Sequence, residues 1–299
     1  MSFPLFLEQL FNGIQLGMML FLMAVGVTLV FGVMRIINLA HGSMFMLGGY
    51  FLVAGLAVTG STLPGLILAL ALSVAVAVVL EIVVLRPLYA RGALDQVLAT
   101  FGLTLFFNEL VVVIWGREPL SLDIPDFLDG RVELLPGLSY PVYRLAITGV
   151  AIAAGALLYL LINRTRIGAL IRAGSEKREI VAALGVNIGL LYTLVFALGA
   201  ALAALAGMMT GPLLSIESGN GDPILILTLV VIVIGGLGSV RGALVGGLIV
   251  GIFDTFSRVL LPQLLGLSTG SGLTSMAVYI LMAAILVYSR TGLFAANRG

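Results

Sequence analysis

Cysteine is absent from this sequence of 299 residues, and charged residues make up only 10% of it. Without cysteine the chain has no disulfide, no thiolate metal ligand and no cysteine nucleophile. A soluble domain carries about 25% charged residues, so this chain has too few to cover a water-exposed surface. The composition, with a hydrophobic fraction of 61%, therefore indicates a membrane protein.

Histidine and lysine are scarce as well, since His41 and Lys177 are the single residues of each type. One histidine argues against a histidine-based metal site. Because Lys177 is followed by Arg178, the sequence has no glycine-rich phosphate loop ending in Lys-Ser or Lys-Thr, and we expect no ATPase site in this chain. The net charge of +1 is too small to indicate a nucleic-acid partner.

Apolar runs follow one another along the whole sequence, so we expect one transmembrane domain over residues 1–299. A membrane-spanning helix needs about 20 mainly apolar residues. On this basis the sequence predicts an all-α, polytopic membrane protein with about nine transmembrane helices, or eight if 223–261 is less regular. The predicted spans are 12–33, 43–59, 64–85, 97–115, 143–162, 190–211, 223–238, 243–261 and 273–289.

The basic residues predict the orientation, because positively charged loops stay cytoplasmic. We place the loop 163–189 in the cytoplasm, the N-terminus outside and the C-terminus inside. The acidic, proline-rich loop 116–142 is then an external, ordered and non-helical cap. No basic residue precedes Arg35, so we expect no cleaved secretory signal. The residues assigned to the cytoplasmic side are Arg35, Arg86, Arg91, Arg164, Arg166, Arg172, Lys177, Arg178, Arg241, Arg290 and Arg298.

Three acidic residues fall within predicted spans: Glu109 and Asp254 near mid-membrane, and Glu81 near the inner edge. A carboxylate at mid-membrane depth is costly and usually faces a cavity or a partner. Glu109 and Asp254 are therefore candidates for the translocation path, with a structural hydrogen bond between helices as the alternative for each. An ion pair with Arg258 is a further alternative for Asp254. Glu81 is predicted to pair with Arg86.

Glycines recur at helix-packing spacing in the last third of the chain. In lipid, small residues let helix backbones approach closely. Tight packing is the main interpretation, and a hinge that moves during transport is the alternative. The glycines concerned are Gly235, Gly236, Gly238, Gly242, Gly246, Gly247 and Gly251.

A polar segment, Arg35-Ile-Ile-Asn38-Leu-Ala-His41-Gly42, separates the first two predicted spans. It resembles the Asn-x-Ala-His-Gly signature of the branched-chain amino acid ABC importer permeases, in particular the smaller of their two permease subunits. The resemblance continues in Leu85-Arg86-Pro87-Leu88, in 95–103 and in 235–243, so it covers nearly the whole chain.

Two roles are open for this segment. Asn38 and His41 can satisfy main-chain groups where the first span ends and the second begins, through side-chain hydrogen bonds. In the alternative interpretation the segment belongs to an inner gate, and Gly42 allows its backbone to move. In both cases we expect His41 at the inner edge of the membrane.

The predicted cytoplasmic loop contains a second match. Permeases of ABC importers carry a Glu-Ala-Ala-x-x-x-Gly segment that contacts the ATPase, and the resemblance places Glu179 and Gly185 in that arrangement. Ile180 and Val181 stand where the family has two alanines.

The residues alone give a compatible picture of this segment. Ser175 is predicted to N-cap a short helix on which Ile180, Val181 and Leu184 form one apolar stripe, and Gly185 is predicted to end it. Such a helix suits a groove in a partner protein. The alternative is a helix that lies on the bilayer surface.

The resemblance implies the transmembrane permease subunit of an ATP-driven importer for branched-chain amino acids or similar small polar solutes, located in the bacterial inner membrane. The implied partners, besides the lipid bilayer, are a second homologous permease subunit, two cytosolic ABC ATPase subunits and an external solute-binding protein. ATP and Mg²⁺ are expected at the ATPase subunits, and this chain is expected to hold no cofactor, no metal and no catalytic residue. Permeases for urea and short-chain amides resemble this group closely and are the alternative.

Two competing functions belong to other classes. An ion-coupled secondary transporter would use Glu109 or Asp254 to carry a proton or bind sodium. An intramembrane enzyme would use His41 with a carboxylate. The enzyme hypothesis is weak, because His41 is expected more than half a bilayer away from both carboxylates.

Overall fold

The computed structural model describes residues 3–289 and 292–294, and it is mostly helical. The helices are α1 (Phe3–Met34), α2 (His41–Thr59), α3 (Thr62–Leu80), α4 (Arg86–Leu88), α5 (Ala93–Trp115), α6 (Val142–Arg164), α7 (Arg166–Ala183), α8 (Ile188–Thr210), α9 (Gly221–Gly235), α10 (Val240–Leu265) and α11 (Leu267–Tyr288). A π-helical turn, Glu81–Leu85, joins α3 to α4 without a break.

In the described part of the chain, seven helices are long and apolar enough to cross a membrane. They are α1, α2, the continuous α3–α4 segment, α5, α6, α8 and α10. The all-helical, polytopic class is thereby confirmed, while the count of nine is approximate. The α9 helix has only 15 residues, about 22 Å at about 1.5 Å per residue, which is less than the thickness of the hydrocarbon core. Arg290 and Arg298 lie outside the described residues.

The chain forms two compact units. The first unit contains the segments up to Ala24, 124–152 and from Ile226 onward, and the second contains 25–123 and 153–225. The prediction of one transmembrane domain stays a prediction.

Close backbone contacts organise the first unit. A Cβ added at Gly13 would lie 2.7 Å from Cα of Ile252, and one added at Gly17 would lie 2.9 Å from Cα of Leu248. Gly235 and Gly242 face each other across the α9–α10 turn with no room for a side chain on either. These contacts agree with the packing interpretation of the C-terminal glycines.

The same principle holds in the second unit, where α2 packs between α3 and α8. A Cβ at Gly48 would lie 2.7 Å from Cα of Ala204, and one at Gly55 would lie 3.2 Å from the carbonyl carbon of Gly65. Apolar side chains gain little by leaving lipid for protein, so such close approach supplies much of the association between membrane helices.

The loop between α5 and α6 is ordered and largely non-helical, as predicted. It contains an antiparallel hairpin of β1 (Arg131–Leu135) and β2 (Leu138–Pro141). The hydroxyl of Tyr140 and the guanidinium of Arg144 donate to Oδ1 of Asn12, at 3.0 Å and 2.6 Å, and tie the hairpin to α1. Burial raises the pKa of Tyr140, so its hydroxyl stays protonated and donates.

Candidate functional site

The α2 helix begins in the interior of the second unit. His41, its first residue, is 1% exposed, and its Nε2 atom would lie 2.9 Å from a Cβ added at Gly26. That Cβ would also lie 2.7 Å from the carbonyl oxygen of Gly199, at the middle of α8. Because α1 continues to Met34, the link from α1 turns back along the helix before α2 starts. The expectation that His41 lies at the inner edge of the membrane stays a prediction.

Asn38 stabilises this returning link. Its Oδ1 accepts a hydrogen bond from the N–H of Ala40 at 3.0 Å, which is the main-chain role predicted for it. Ala40, not Asn38, occupies the N-cap position of α2 and makes no side-chain capping bond. The Asn38 side-chain nitrogen is buried and has no hydrogen-bond partner. An unpaired buried donor is rare in proteins and calls for a structural or functional reason.

The first turn of α2 meets the first turn of α9. A Cβ added at Gly42 would lie 2.7 Å from the carbonyl oxygen of Gly221 and 3.1 Å from Cβ of Leu225, so only glycine fits at this contact. A role was predicted for Gly42 but none for Gly221. The starts of two helices thus lie together in the interior of the second unit.

The neighbouring residues Asn108 and Glu109 of α5 have different surroundings. The Asn108 amide donates to Oδ2 of Asp222 at 3.2 Å, and its carbonyl accepts from the hydroxyl of Ser218 at 2.7 Å. Glu109 is exposed and has no hydrogen-bond or ion-pair partner among the described residues. Asn108 therefore makes the interhelical hydrogen bond that was the alternative for Glu109.

Asp254 is buried in α10 and accepts two hydrogen bonds from the guanidinium of Arg258, at 2.7 Å and 3.1 Å. The structure thus contains the ion pair that the sequence offered as one alternative. Arg258 lies one turn away and is 61% exposed, so it neutralises the carboxylate from the surface of α10.

A cavity of about 260 Å³ lies in the second unit, where the 211–220 loop passes over α2 and α8. Most of its wall is apolar, and the polar side chains in the wall are Thr210, Ser215, Glu217 and Asn220. The apolar lining residues are Phe45, Met46, Leu214, Ile216, Pro223 and Ile224, with three glycines, Gly49, Gly207 and Gly211. No functional role was predicted from the sequence for any of these residues.

Glu81, on the π-helical turn, is completely buried and is bound by three side chains. Its carboxylate accepts from Arg86 at 3.0 Å, from the hydroxyl of Tyr89 at 2.5 Å and from the hydroxyl of Thr193 at 2.6 Å. Burial, followed by the bond to Glu81, raises the pKa of Tyr89, so the phenol stays protonated. The Glu81–Arg86 pair was predicted, but its connection through Thr193 to α8 was not.

The predicted coupling segment forms the C-terminal end of α7. This helix begins at Arg166, where Thr165 accepts a hydrogen bond from the N–H of Gly168 at 3.0 Å. Ser175 lies inside α7 and donates to the carbonyl of Arg172, so the N-cap predicted at Ser175 is wrong. A break occurs instead at Lys177, which has a non-helical backbone.

Gly185 ends the segment, as the sequence predicted. It has a φ of +84°, its N–H donates to the carbonyl of Ala182, and the next N–H donates to the carbonyl of Val181. This pair of bonds is the Schellman arrangement in which glycine is preferred. Ile180 and Leu184 are exposed while Val181 is buried, so the expected apolar stripe is divided between a free surface and an inner contact.

A groove of about 510 Å³ lies beside this segment, between the end of α1 and the break in α7. Charged side chains of both signs border it, namely Arg35, Glu176, Lys177 and Glu179. Exposed apolar side chains next to such a groove are typical of a protein-binding surface.

These features define a class: a polytopic helical membrane protein with glycine-mediated helix packing, an interior junction of two helix starts, and a surface helix with exposed apolar side chains. The sequence matches the family described as the permease component of branched-chain amino acid transport systems over residues 9–290. The chain therefore belongs to the branched-chain amino acid transport system permease family.

Individual relatives agree with this assignment. The chain is 30% identical over 274 residues to the high-affinity branched-chain amino acid transport system permease protein LivH of Escherichia coli K12, covering 87% of this chain and 88% of LivH. It is 31% identical over 267 residues to the corresponding protein BraD of Pseudomonas aeruginosa, covering 84% and 86%. It is also 27% identical over 294 residues to the ribose import permease protein RbsC of Escherichia coli K12, covering 94% and 85%. No solved structure gives a significant match.

Proposed function

We propose that this chain is the transmembrane permease subunit of an ATP-driven ABC importer in the bacterial inner membrane, and that it translocates branched-chain amino acids or similar small polar solutes. The observation that carries the proposal is the end of α7. In a chain of this permease family, a helix closed at Gly185 presents Ile180 and Leu184 to solvent beside a charged groove. A surface of this kind suits docking of an ATPase subunit.

The proposal includes the partners and the orientation. The chain pairs with a second homologous permease subunit, two cytosolic ATPase subunits that bind ATP and Mg²⁺, and an external solute-binding protein. The α7 helix lies in the cytoplasm, the hairpin loop between α5 and α6 lies outside, the N-terminus is outside and the C-terminus is inside. This orientation follows the distribution of basic residues.

The contacts within the second unit suggest how ATP drives transport. Movement of α7 reaches α8 directly, because Asn187 follows Gly185 and caps α8 by accepting from the N–H of Leu190 at 3.0 Å. The α8 helix packs against α2, whose start carries the gate candidates Asn38, His41 and Gly42. The unpaired Asn38 nitrogen supports a gate role, since rearrangement of this link in another state could supply its missing partner.

The experiment that tests the proposal is a mild-detergent pull-down of the tagged chain, followed by mass spectrometry, with wild type and Gly185→Val compared. We expect wild type to recover a homologous permease and two P-loop ATPases. Valine in a backbone with a φ of +84° adds a conformational strain of about 1–2 kcal/mol, which distorts the end of α7. We therefore expect Gly185→Val to recover about tenfold less ATPase than wild type and to lose uptake in proportion. Glu179→Lys, which reverses a charge at the groove, should act in the same direction.

Gly137 provides the matched control. It has a φ of +83° and, like Gly185, open space where a side chain would be, but it lies in the hairpin turn. Gly137→Val therefore introduces the same backbone strain away from the ATPase and should leave ATPase recovery unchanged. Equal recovery with all variants would contradict the docking role of α7. A wild-type chain recovered alone and still folded would contradict the importer proposal.

Glu109 is proposed to face the translocation path, because an exposed carboxylate within a membrane span needs a cavity or a partner. We expect Glu109→Gln to lower ATP-dependent uptake severalfold, with melting temperature unchanged. Asp95→Asn, also exposed on α5 but in its first turn, is the control and should transport normally. Normal uptake by Glu109→Gln across pH would exclude an ionised role for this residue in the path.

The same proteoliposomes distinguish the alternatives. Uptake by the isolated chain, driven by an ion gradient without ATPase, would favour a secondary transporter in which the unpaired Glu109 carries the ion. A solute screen that includes leucine, urea, short-chain amides and ribose separates the amino acid importer from permeases for other small solutes.

A further inference from the structure

The cavity beneath the 211–220 loop has an unusual balance of hydrogen-bonding groups. Glu217 lines it and is exposed, and its carboxylate has no hydrogen-bond or ion-pair partner among the described residues. Asn220 lines it as well, and its Oδ1 atom is buried without a partner, although its amide nitrogen reaches the carbonyl of Ser215 at 3.5 Å. At this cavity one buried acceptor, Asn220 Oδ1, therefore has no donor, and the carboxylate of Glu217 receives no donor from the described protein residues and is accessible to an incoming ligand.

A primary ammonium group satisfies this arrangement. It carries one positive charge and three N–H donors and has no acceptor. None of the residues that line the cavity is basic, so the protein itself supplies no counter-charge to Glu217 there. A carboxylate or phosphate would be repelled at the same position, and a neutral apolar molecule would leave both acceptors unpaired.

The apolar part of the cavity wall indicates the chemistry of the rest of the ligand. Its apolar lining includes Phe45, Met46, Leu214, Ile216 and Ile224, around a volume of about 260 Å³. This volume suits a small molecule rather than a peptide. The wall therefore fits a short aliphatic chain, which gains from burial of its apolar surface.

We propose that this cavity is a solute-binding site of the permease itself, in which Glu217 and Asn220 hold the primary ammonium of a small aliphatic amine or amino acid while Phe45, Met46 and Leu214 contact its apolar chain. The inference rests on the proposed importer function, which it deepens by giving this chain its own selectivity for the ammonium group. A carboxylate on the ligand is not bound by a cation here and points toward the cavity mouth.

The test is equilibrium binding of radiolabelled leucine to the complete permease–ATPase complex in nanodiscs, without the solute-binding protein. Displacement by 3-methylbutylamine, which keeps the ammonium and loses the carboxylate, should match displacement by unlabelled leucine. The acid 4-methylpentanoate, which lacks the ammonium, should not displace. Equal displacement by the acid would overturn the proposal.

Substitutions of the cavity-lining residues test whether leucine binds in this cavity. Loss of a charge-assisted hydrogen bond should make Glu217→Gln bind leucine about tenfold more weakly, and Asn220→Ala should also bind more weakly. Glu118→Gln is the matched control, because Glu118 is an exposed carboxylate that does not line the cavity, and it should bind as wild type does. Unchanged binding by Glu217→Gln would overturn the assignment.

A second measurement on the same preparation separates this inference from the importer proposal. Wild type that takes up leucine with ATP and the solute-binding protein but binds none in nanodiscs would contradict the proposed solute site in the cavity. The importer proposal would be unaffected by that result. If the chain assembles with no ATPase and takes up none of the screened solutes, the importer proposal itself fails.

Discussion

Gly207→Val is expected to lower the free energy of unfolding by about 3 kcal/mol or more, the upper end of the cost of overpacking a well-packed interior. A Cβ at Gly207 would overlap the carbonyl oxygen of Phe45 and lie 2.8 Å from its carbonyl carbon. These are main-chain atoms of α2, so they cannot rotate away as a flexible side chain would. The helices α2 and α8 must separate to admit valine.

Separation of these helices removes several other contacts. Gly48 packs on Ala204 one turn further along the same pair of helices, and Leu52, Ala69 and Met208 form a buried apolar cluster beside them. A wider spacing opens a void in this cluster, and the lining atoms then lose their dispersion contacts. The free energy of unfolding of Gly207→Val is therefore expected to fall by more than the added methyl groups alone would cause.

The measurement is thermal unfolding of the detergent-purified chain, followed by size-exclusion chromatography and tryptophan fluorescence. Gly149→Ala is the control, because Gly149 is exposed on α6 and has no atom near enough to meet an added Cβ. That change should be neutral or slightly stabilising, since alanine favours a helix over glycine by about 1 kcal/mol. A melting temperature of Gly207→Val equal to wild type would show that α2 and α8 do not pack at this distance.

The positions of the helices could be predicted from the sequence because they depend on a short-range property. A run of about 20 apolar residues separated by charges or Gly-Pro breaks is sufficient to identify a span. The ends were harder to predict. His41 begins α2 in the packed interior of the second unit. The returning link is held by Asn38 and passes close to Gly26, and neither residue changes the local hydropathy.

Side-chain partners on neighbouring turns were foreseen, and distant ones were not. The Asp254–Arg258 pair is four residues apart on one helix, a spacing at which side chains meet. Asn108 and Asp222 are 114 residues apart, and no pattern in one sequence connects them. The cavity with Glu217 and Asn220 was missed for the same reason, although the polar run from Ser215 to Asp222 between two apolar helices was a signal that could have drawn attention to it.

Replacement of Glu81 by alanine is expected to have the second large effect. Breaking a fully buried ion pair by removing one partner costs about 3–5 kcal/mol. Arg86 has 42% of its side chain exposed and can be hydrated when Glu81 is removed. We therefore expect Glu81→Ala to lower the free energy of unfolding by about 2 kcal/mol. Tyr89 and Thr193 would each also lose an acceptor in a buried setting. Glu81→Gln keeps an acceptor oxygen and should lose about half as much stability.

The same substitution should also affect coupling, because the Glu81 carboxylate joins the π-helical turn to the first turns of α8. Thr193→Val removes only the connection to α8 and keeps the Glu81–Arg86 pair, so its stability should fall less. In the assembled complex we expect Thr193→Val to hydrolyse ATP at the wild-type rate while importing less solute per ATP, and Glu81→Ala to show the same uncoupling with lower stability. If transport per ATP stays at the wild-type value in both variants, Glu81 stabilises the fold without transmitting the movement of α7. A local cluster beside a π-helical turn, a feature frequent at functional sites, would then have a structural role only.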